Sequence, residues 1–206
     1  MDFLQPEEVQ RLLDACSPNL YPIAFTAVMS GLRQGELFGL KWSDVNFGAG
    51  EIKVCRSYHP CHGFTSTKSE KGERTVVLSP DLAEVLAHHK ATTGGGTDDL
   101  VFHNKAGNPI DYHNIERREF HPALERAGLR KIRWHDLRHT FAALLVANGE
   151  YPTKIQELMG HADIGTTFNT YGHLLPDSSN GVGERLDTLV CPNGTRWPTG
   201  ELRRVK

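Results

Sequence analysis

A histidine and an arginine in the first turn of a predicted helix have the chemistry to bind an anion. His135 and Arg138 are three residues apart, a spacing that places both side chains on one side of a helical turn. A buried charge is costly unless it is paired, and the free N–H groups and dipole of a helix N-terminus favour anions. The pair therefore predicts a phosphate-binding site. The alternative is an arginine paired with a carboxylate, beside a histidine that caps the helix.

The helix that follows this pair is expected to be buried on nearly all sides. Leu137, Phe141, Leu144 and Leu145 recur at i, i+4, i+7 and i+8, which is one helical face. The opposite side carries alanines and a valine, small residues that let other helices approach. This central helix is predicted to end near residues 148–149.

Four further polar side chains lie where the chain changes direction or on a helix face. Arg33 falls between two predicted helices, Lys68 lies in a polar turn, and His161 follows a helix stop. Tyr171 lies on the inward face of a helix predicted from residue 164 to about 174. Taken singly, each has an ordinary explanation: a surface ion pair between Arg33 and Glu36, a solvated lysine, a polar helix end and a half-buried core tyrosine.

The composition indicates a globular chain with a local cationic site. With 206 residues, 38% of them hydrophobic, the chain fits one large domain, or one domain with a tail. No apolar run approaches the ~18 residues that span a membrane. The net charge of −2 argues against coating nucleic acid by charge alone. Lys and Arg nevertheless cluster in residues 68–74 and 117–138, so any affinity for nucleic acid is expected to come from one positive channel, aided by a partner domain.

The cysteines and histidines predict neither a disulfide framework nor a metal site. The four cysteines are scattered, which is typical of a reducing compartment, and a cytoplasmic location is expected. His59, Cys61 and His62 are too tightly spaced to resemble a standard zinc knuckle, and no second cluster supplies more ligands. We expect no metal and no other cofactor.

Hydrophobic periodicity predicts a mostly α-helical α+β fold with a small three-stranded antiparallel sheet. Strands are predicted at residues 51–57, 64–67 and 74–78, the last two joined as a hairpin by the turn that carries Lys68. Helices are predicted at residues 6–15, 22–30, 36–40, 80–90 and 112–127, followed by the central helix and by helices at 152–159 and 164–174. Asp163 is expected to cap the last of these. Beyond residue 176 a polar tail contains a weak helix at 184–190.

Four separated motifs resemble those of tyrosine recombinases, the phage-integrase family of DNA breaking-and-joining enzymes. They are Gly31-Leu-Arg33-Gln-Gly-Glu36-Leu, Thr67-Lys68-Ser, His135-Asp-Leu-Arg138-His139-Thr, and Leu158-Met-Gly-His161 with Tyr171-Gly-His-Leu ten residues after that histidine. Each motif is weak alone, but their order over roughly 170 residues matches the family's catalytic domain. The resemblance implies a catalytic domain at residues 1–176 and a tail at 177–206 that could be exchanged between protomers.

The resemblance also implies a role for each motif residue in transesterification at a DNA phosphodiester. Tyr171 is expected to be the nucleophile that forms a covalent 3′-phosphotyrosine. Arg33 and Arg138 are expected to bind the nonbridging oxygens and stabilise the transition state without metal. Lys68 is expected to protonate the departing 5′ oxygen, with Lys71 as a plausible substitute.

The remaining motif residues are expected to assist this chemistry. His135 is expected to handle the proton of the nucleophile, and His161 to donate a hydrogen bond to the phosphate. Glu36 is expected to orient Arg33. Contacts with DNA are also expected from Lys71, Arg133 and His139, besides Arg33, Lys68 and Arg138.

The implied partners are double-stranded DNA, further copies of the chain assembled as a tetramer on DNA, and an N-terminal core-binding domain of the same protein, which is expected to lie outside this chain. The implied biology is site-specific recombination or integration by a phage or mobile element. Two alternatives stay open: a type IB topoisomerase that relaxes DNA, and a catalytically silent DNA-binding module. A His-dependent metallophosphoesterase is a third, which EDTA would inhibit.

Overall fold

The computed structural model describes residues 2–66, 73–174 and 188–189. By its contacts the chain divides into two units, Met1–Leu174 and Leu175–Lys206. In the second unit the structure describes Thr188 and Leu189, which are helical and exposed. The predicted tail helix at 184–190 otherwise lies outside the described residues, as do Lys68 and Lys71. The predicted domain boundary at residue 176 stays a prediction.

The first unit is mostly helical, as the periodicity predicts. Its α-helices are α1 (Pro6–Asp14), α2 (Tyr21–Ser30), α3 (Gln34–Phe38), α4 (Pro80–Thr93), α5 (Tyr112–Ile115), α6 (His121–Arg126), α7 (Asp136–Ala147), α8 (Pro152–Met159) and α9 (Ile164–Tyr171). Several begin with proline in their first turn, where its missing N–H leaves no helical bond unmade. Gly31 and Gly160 end α2 and α8 in the left-handed conformation.

The strands form two small antiparallel sheets. The strands are β1 (Val45–Asn46), β2 (Glu51–Val54), β3 (Arg56–His59), β4 (Gly63–Ser66) and β5 (Arg74–Val77). The first sheet has the order β1-β2-β5, with Ile52 opposite Val76, and β3 pairs with β4 in the second. A three-stranded antiparallel sheet is therefore present.

The predicted pairing of the strands was wrong in one respect. The single strand predicted at 51–57 is interrupted at Cys55 and forms β2 and β3, and β3 pairs with β4. The strand at 74–77 pairs with β2, so the strands flanking the lysine turn are not hairpin partners. Alternation of polar and apolar residues indicates strands, but it does not determine which strands pair.

Two further details differ from the predicted helices. The helix predicted at 112–127 contains a π-helical turn, Glu116–Phe120, between α5 and α6. In α9 the buried residues are Thr167 and Tyr171, whereas Phe168 is 48% exposed. Asp163 precedes α9, but its side chain makes no capping hydrogen bond. The helix also ends earlier, because residues 172–174 form a 3₁₀ turn.

The central helix α7 is buried nearly all round, as predicted. Leu137, Phe141, Ala142 and Val146 are all buried. A Cβ atom added to Gly31 would lie 2.1 Å from the Phe141 ring, so the end of α2 and the middle of α7 approach as closely as a glycine permits. This close approach brings the Arg33 segment beside the first turn of α7.

In the described part of the chain, no helix is long and apolar enough to cross a membrane.

Candidate active site

Arg138 is buried at the start of α7, and within the described part of the chain no carboxylate accepts a hydrogen bond from it. Its side chain is 4% exposed and donates to the carbonyl oxygens of Gly31 and Met159. Burial and the nearby positive charge of Arg33 lower the pKa of Arg138 to about 9. Carbonyls satisfy its N–H donors but do not neutralise its charge, so the site favours an anion.

Arg33 lies between α2 and α3, as the sequence predicts, and points toward the end of α8. Its Nη1 donates to Glu36 Oε1 at 2.9 Å and its Nη2 to the Gly160 carbonyl at 2.8 Å. The side chain is 42% exposed, so part of the guanidinium faces solvent. The ion pair with Glu36 is therefore present, and it leaves Arg33 able to bind a ligand.

Glu36 is buried beneath Arg33 and is held by a second arginine. Arg74 donates from Nη1 and Nη2 to the two carboxylate oxygens at 2.9 and 2.8 Å. Burial alone would raise the pKa of Glu36, but the bonds from Arg74 and Arg33 lower it to about 2. The carboxylate is thus ionised throughout the physiological range. The sequence reasoning did not identify Arg74 as a site residue, although strand alternation places it on the same face as buried Val76.

His161 follows α8 directly, next to the carbonyls that bind the two motif arginines. Its Nδ1 lies 3.0 Å from the hydroxyl oxygen of buried Thr167 on α9. Burial, together with the positive charges of Arg138 and Arg33, lowers the pKa of His161 to about 4. The ring is therefore neutral at neutral pH while no anion is bound.

Tyr171 is buried at the end of α9, and its hydroxyl meets a histidine of α7. The residue is 2% exposed, and its hydroxyl oxygen lies 2.7 Å from His139 Nδ1. Burial raises the pKa of Tyr171 to about 12, although the charge of Arg138 opposes that shift. Burial and the neighbouring His135 lower the pKa of His139 to about 4. A neutral imidazole thus faces a protonated phenol.

The contact with the Tyr171 hydroxyl was expected from His135, but His139 makes it. The rings of His135 and His139 are in edge-to-face contact, with centroids 5.0 Å apart. Burial and the charge of Arg138 lower the pKa of His135 as well. His135 and His139 are four residues apart, so their side chains lie on the same helix face, one turn apart. Motif spacing alone therefore could not say which of the two histidines reaches the ring of another helix.

Arg133 differs from the motif arginines because it is committed to Asp136. Its Nη2 donates to Asp136 Oδ1 at 2.8 Å, while its side chain is 71% exposed. Burial alone would raise the pKa of Asp136, but Arg133 holds it below the usual value. The predicted contact between Arg133 and DNA stays a prediction.

Three arginines, one carboxylate, three histidines and a phenol thus meet around the starts of α3 and α7 and the ends of α8 and α9. The predicted residues brought together are Arg33, Glu36, His135, Arg138, His139, His161 and Tyr171. Among the described residues no group of three or more His, Cys, Asp or Glu side chains could hold a metal ion. The site can bind a phosphate through guanidinium groups and present a phenol oxygen to it.

Known proteins share this sequence pattern and fold. Residues 2–177 match the model of the phage integrase family. A tyrosine recombinase XerC-like protein of Caldanaerobacter subterraneus subsp. tengcongensis is 30% identical over 210 residues, which cover 89% of this chain and 53% of that protein. The Tn1549 transposon integrase in complex with circular intermediate DNA aligns with a TM-score of 0.77 at 24% identity, over 90% of this chain and 67% of that one. The catalytic domain of bacteriophage HP1 integrase aligns with a TM-score of 0.64 at 23% identity, over 95% and 99% of the two chains.

The fold and the cationic site define a tyrosine recombinase catalytic domain. The sequence resemblance is thereby confirmed at the level of family and fold, and the chain belongs to the phage integrase family. The chain spans about half the length of the curated relatives it matches, between 44% and 55% for the first three.

Proposed function

We propose that this chain cleaves and rejoins DNA strands in site-specific recombination, through a covalent 3′-phosphotyrosine. One observation carries the proposal: among the described residues, no carboxylate accepts a hydrogen bond from buried Arg138. The positive charge of Arg138 also favours ionisation of the Tyr171 phenol, whose hydroxyl contacts His139. A buried guanidinium group that donates to carbonyls and not to a carboxylate suits a phosphate, and the phenol beside it suits a nucleophile.

In the proposed reaction the Tyr171 oxygen attacks the scissile phosphorus, and the bond from phosphorus to the 5′ oxygen breaks. Arg33 and Arg138 bind the nonbridging oxygens, and His161 donates a hydrogen bond to one of them. The 5′ oxygen leaves with a proton from Lys68 or Lys71. Because the tyrosyl ester keeps the energy of the original bond, a 5′ hydroxyl of either strand can reverse the step without ATP.

The phenol proton passes, in this proposal, to His139. A neutral imidazole can accept it, and the lowered pKa of His139, about 4, favours the neutral ring in the free protein at neutral pH. When the phosphate enters, its negative charge favours the protonated imidazole, so the acceptor becomes more basic as the substrate binds. His135, in contact with the His139 ring, supports its orientation.

The wider assembly is also part of the proposal. We expect double-stranded DNA as the substrate, a tetramer on DNA, and a core-binding domain in the full protein, located in the cytoplasm. The greater length of the curated relatives supports further protein beyond the matched part. Family membership favours strand exchange over topoisomerase-like relaxation or silent DNA binding.

A nicked suicide DNA tests the proposal. Loss of the short 5′ fragment prevents rejoining, so wild-type protein should accumulate a covalent adduct that migrates with DNA in denaturing gels. Tyr171→Phe removes the nucleophilic oxygen and should abolish the adduct while leaving noncovalent binding in place. Equal trapping by both proteins would rule out Tyr171 as the nucleophile.

A further inference from the structure

Three consecutive carbonyl oxygens at the end of α8 each bind a different arginine. The carbonyls of Leu158, Met159 and Gly160 accept from Arg74 Nε at 2.9 Å, from Arg138, and from Arg33 Nη2 at 2.8 Å, respectively. The last carbonyls of a helix lack intrahelical partners and carry the negative end of its dipole. The end of α8 therefore acts as an acceptor for three positive side chains from three separate elements.

Arg74 differs from the other two arginines in position and burial. Its side chain is 5% exposed, against 42% for Arg33, so little of it can reach a substrate. Its two Nη atoms are both used on Glu36, and its Nε on Leu158. Arg74 thus binds, at the same time, the carboxylate that holds Arg33 and the helix end that precedes His161.

Gly160 lies directly against the Arg74 side chain. A Cβ atom at residue 160 would be 3.0 Å from Arg74 Cδ and 3.0 Å from its Nη1, closer than most real contacts. The left-handed turn at Gly160, with φ of 61°, sends the chain from α8 into His161. The Arg74 side chain therefore packs against this turn from one side.

We propose that Arg74 is a positioning residue for DNA cleavage. It fixes Arg33 through Glu36, and it fixes His161 through the end of α8, so that both side chains meet one phosphate. The inference rests on the proposed function, since cleavage is what the positioned groups perform. A buried ion pair contributes little net stability compared with apolar residues of the same volume, so stability alone does not account for the arrangement.

The test compares Arg74→Met and Arg74→Lys with wild type in the full protein. Misplacing catalytic groups by about 1 Å can cost on the order of 10²-fold in rate, and we expect that loss in single-turnover cleavage by Arg74→Met. The dissociation constant for uncleaved DNA should change little, because Arg74 makes no contact with DNA in this account. Arg74→Lys keeps the positive charge but not the planar, forked guanidinium group, so its cleavage rate should fall only in part.

Arg56→Met is the matched control. Arg56 also pairs with a buried carboxylate, that of Asp44, but it lies on β3, and no described hydrogen bond joins it to Glu36 or to α8. Cleavage by this variant should equal that of wild type. A fall equal to that of Arg74→Met would mean that loss of any buried ion pair in this region slows the reaction, and would overturn the proposal.

The pH profile distinguishes positioning from general loss of structure. In wild type Glu36 stays ionised, because its pKa is about 2. Without Arg74 the pKa of Glu36 rises, so Arg74→Met should lose further activity as the pH falls from neutrality. The double variant Arg74→Met with Glu36→Gln removes that carboxylate, and the additional acid loss should become smaller; the remainder reflects His161, whose pKa Arg74 also lowers. An acid loss as large in the double variant as in Arg74→Met would contradict the proposal.

Hydrogen exchange gives a measurement independent of activity. The amides of Gly160 and His161 donate to Glu157 and Gln156, and we expect their exchange to accelerate in Arg74→Met but not in Arg56→Met. Unchanged exchange, or unchanged cleavage, would overturn the role of Arg74. If wild type formed no Tyr171 adduct, the proposed function would fail on its own, and exchange would still decide whether Arg74 fixes this segment.

Discussion

Tyr171 keeps its proton in the free protein. Burial raises its pKa to about 12, and the charge of Arg138 offsets only part of that shift. At neutral pH the phenol is therefore far from ionised, and attack on phosphorus requires a proton acceptor. Among the described residues, the neutral His139 ring can act as this acceptor, since its Nδ1 lies 2.7 Å from the hydroxyl oxygen.

His139→Gln should slow cleavage and leave DNA binding in place. Glutamine can hydrogen-bond to the phenol but cannot take its proton, and loss of a general base typically costs 10²–10⁴-fold. Single-turnover cleavage and gel-shift titration measure the two effects separately, with the exposed His88→Gln as control. A variant that cleaves normally but binds DNA poorly would restore the original prediction, in which His139 contacts DNA.

The residues of this site differ in how far the sequence could predict them. The pairing of Arg33 with Glu36 follows from their spacing of three residues. The bond from Arg74 to Glu36 joins positions 38 apart, and no local pattern connects them. Strand alternation shows only that Arg74 shares a face with Val76. The contact of His139 with Tyr171 depends on how α9 lies against α7, which periodicity does not determine.

At the scale of elements, the end of α8 organises the site. The sequence predicted its stop at Gly160 because glycine adopts the left-handed conformation without steric cost. What the sequence could not show is that the carbonyls before this stop bind arginines from three other elements. The strand pairing was predicted wrongly for the same reason: a local sequence pattern indicates where a strand lies better than it indicates which strand pairs with it.

Gly160→Ala should impair the protein more than Gly128→Ala. Both glycines have positive φ, 61° and 63°, so alanine costs about 1–2 kcal/mol at either position. A Cβ at residue 128 meets nothing within 4 Å, whereas one at residue 160 meets Arg74. Urea denaturation should show similar losses of folding free energy from strain, with an additional loss for Gly160→Ala. The cleavage rate should fall for Gly160→Ala but not for Gly128→Ala. Equal activity of the two variants would contradict a role in cleavage for the contact between residue 160 and Arg74.

At the scale of the whole molecule, the site sets a pH dependence of stability. His139 and His161 have pKa values of about 4 in the folded chain, against an ordinary value of 6.5. Between pH 4 and pH 6.5 the unfolded chain therefore binds more protons than the folded chain. The stability associated with the neutral rings is complete above pH 6.5 and is lost as the pH falls toward 4.

The double variant His139→Gln with His161→Gln should weaken this dependence. Its free energy of unfolding should fall less than that of wild type between about pH 7 and about pH 5, because fewer groups gain protons on unfolding. Urea denaturation at the two pH values measures the difference. Equal decreases in both proteins would show that neither histidine is held neutral by the fold.

We propose that Tyr171 attacks the scissile phosphate while Arg33 and Arg138 bind it. The most direct measurement is mass spectrometry of peptides from wild-type protein trapped on nicked DNA. We predict a nucleotide attached through phosphate to the Tyr171 oxygen. Attachment to another residue, such as the exposed Tyr151, would contradict the assignment.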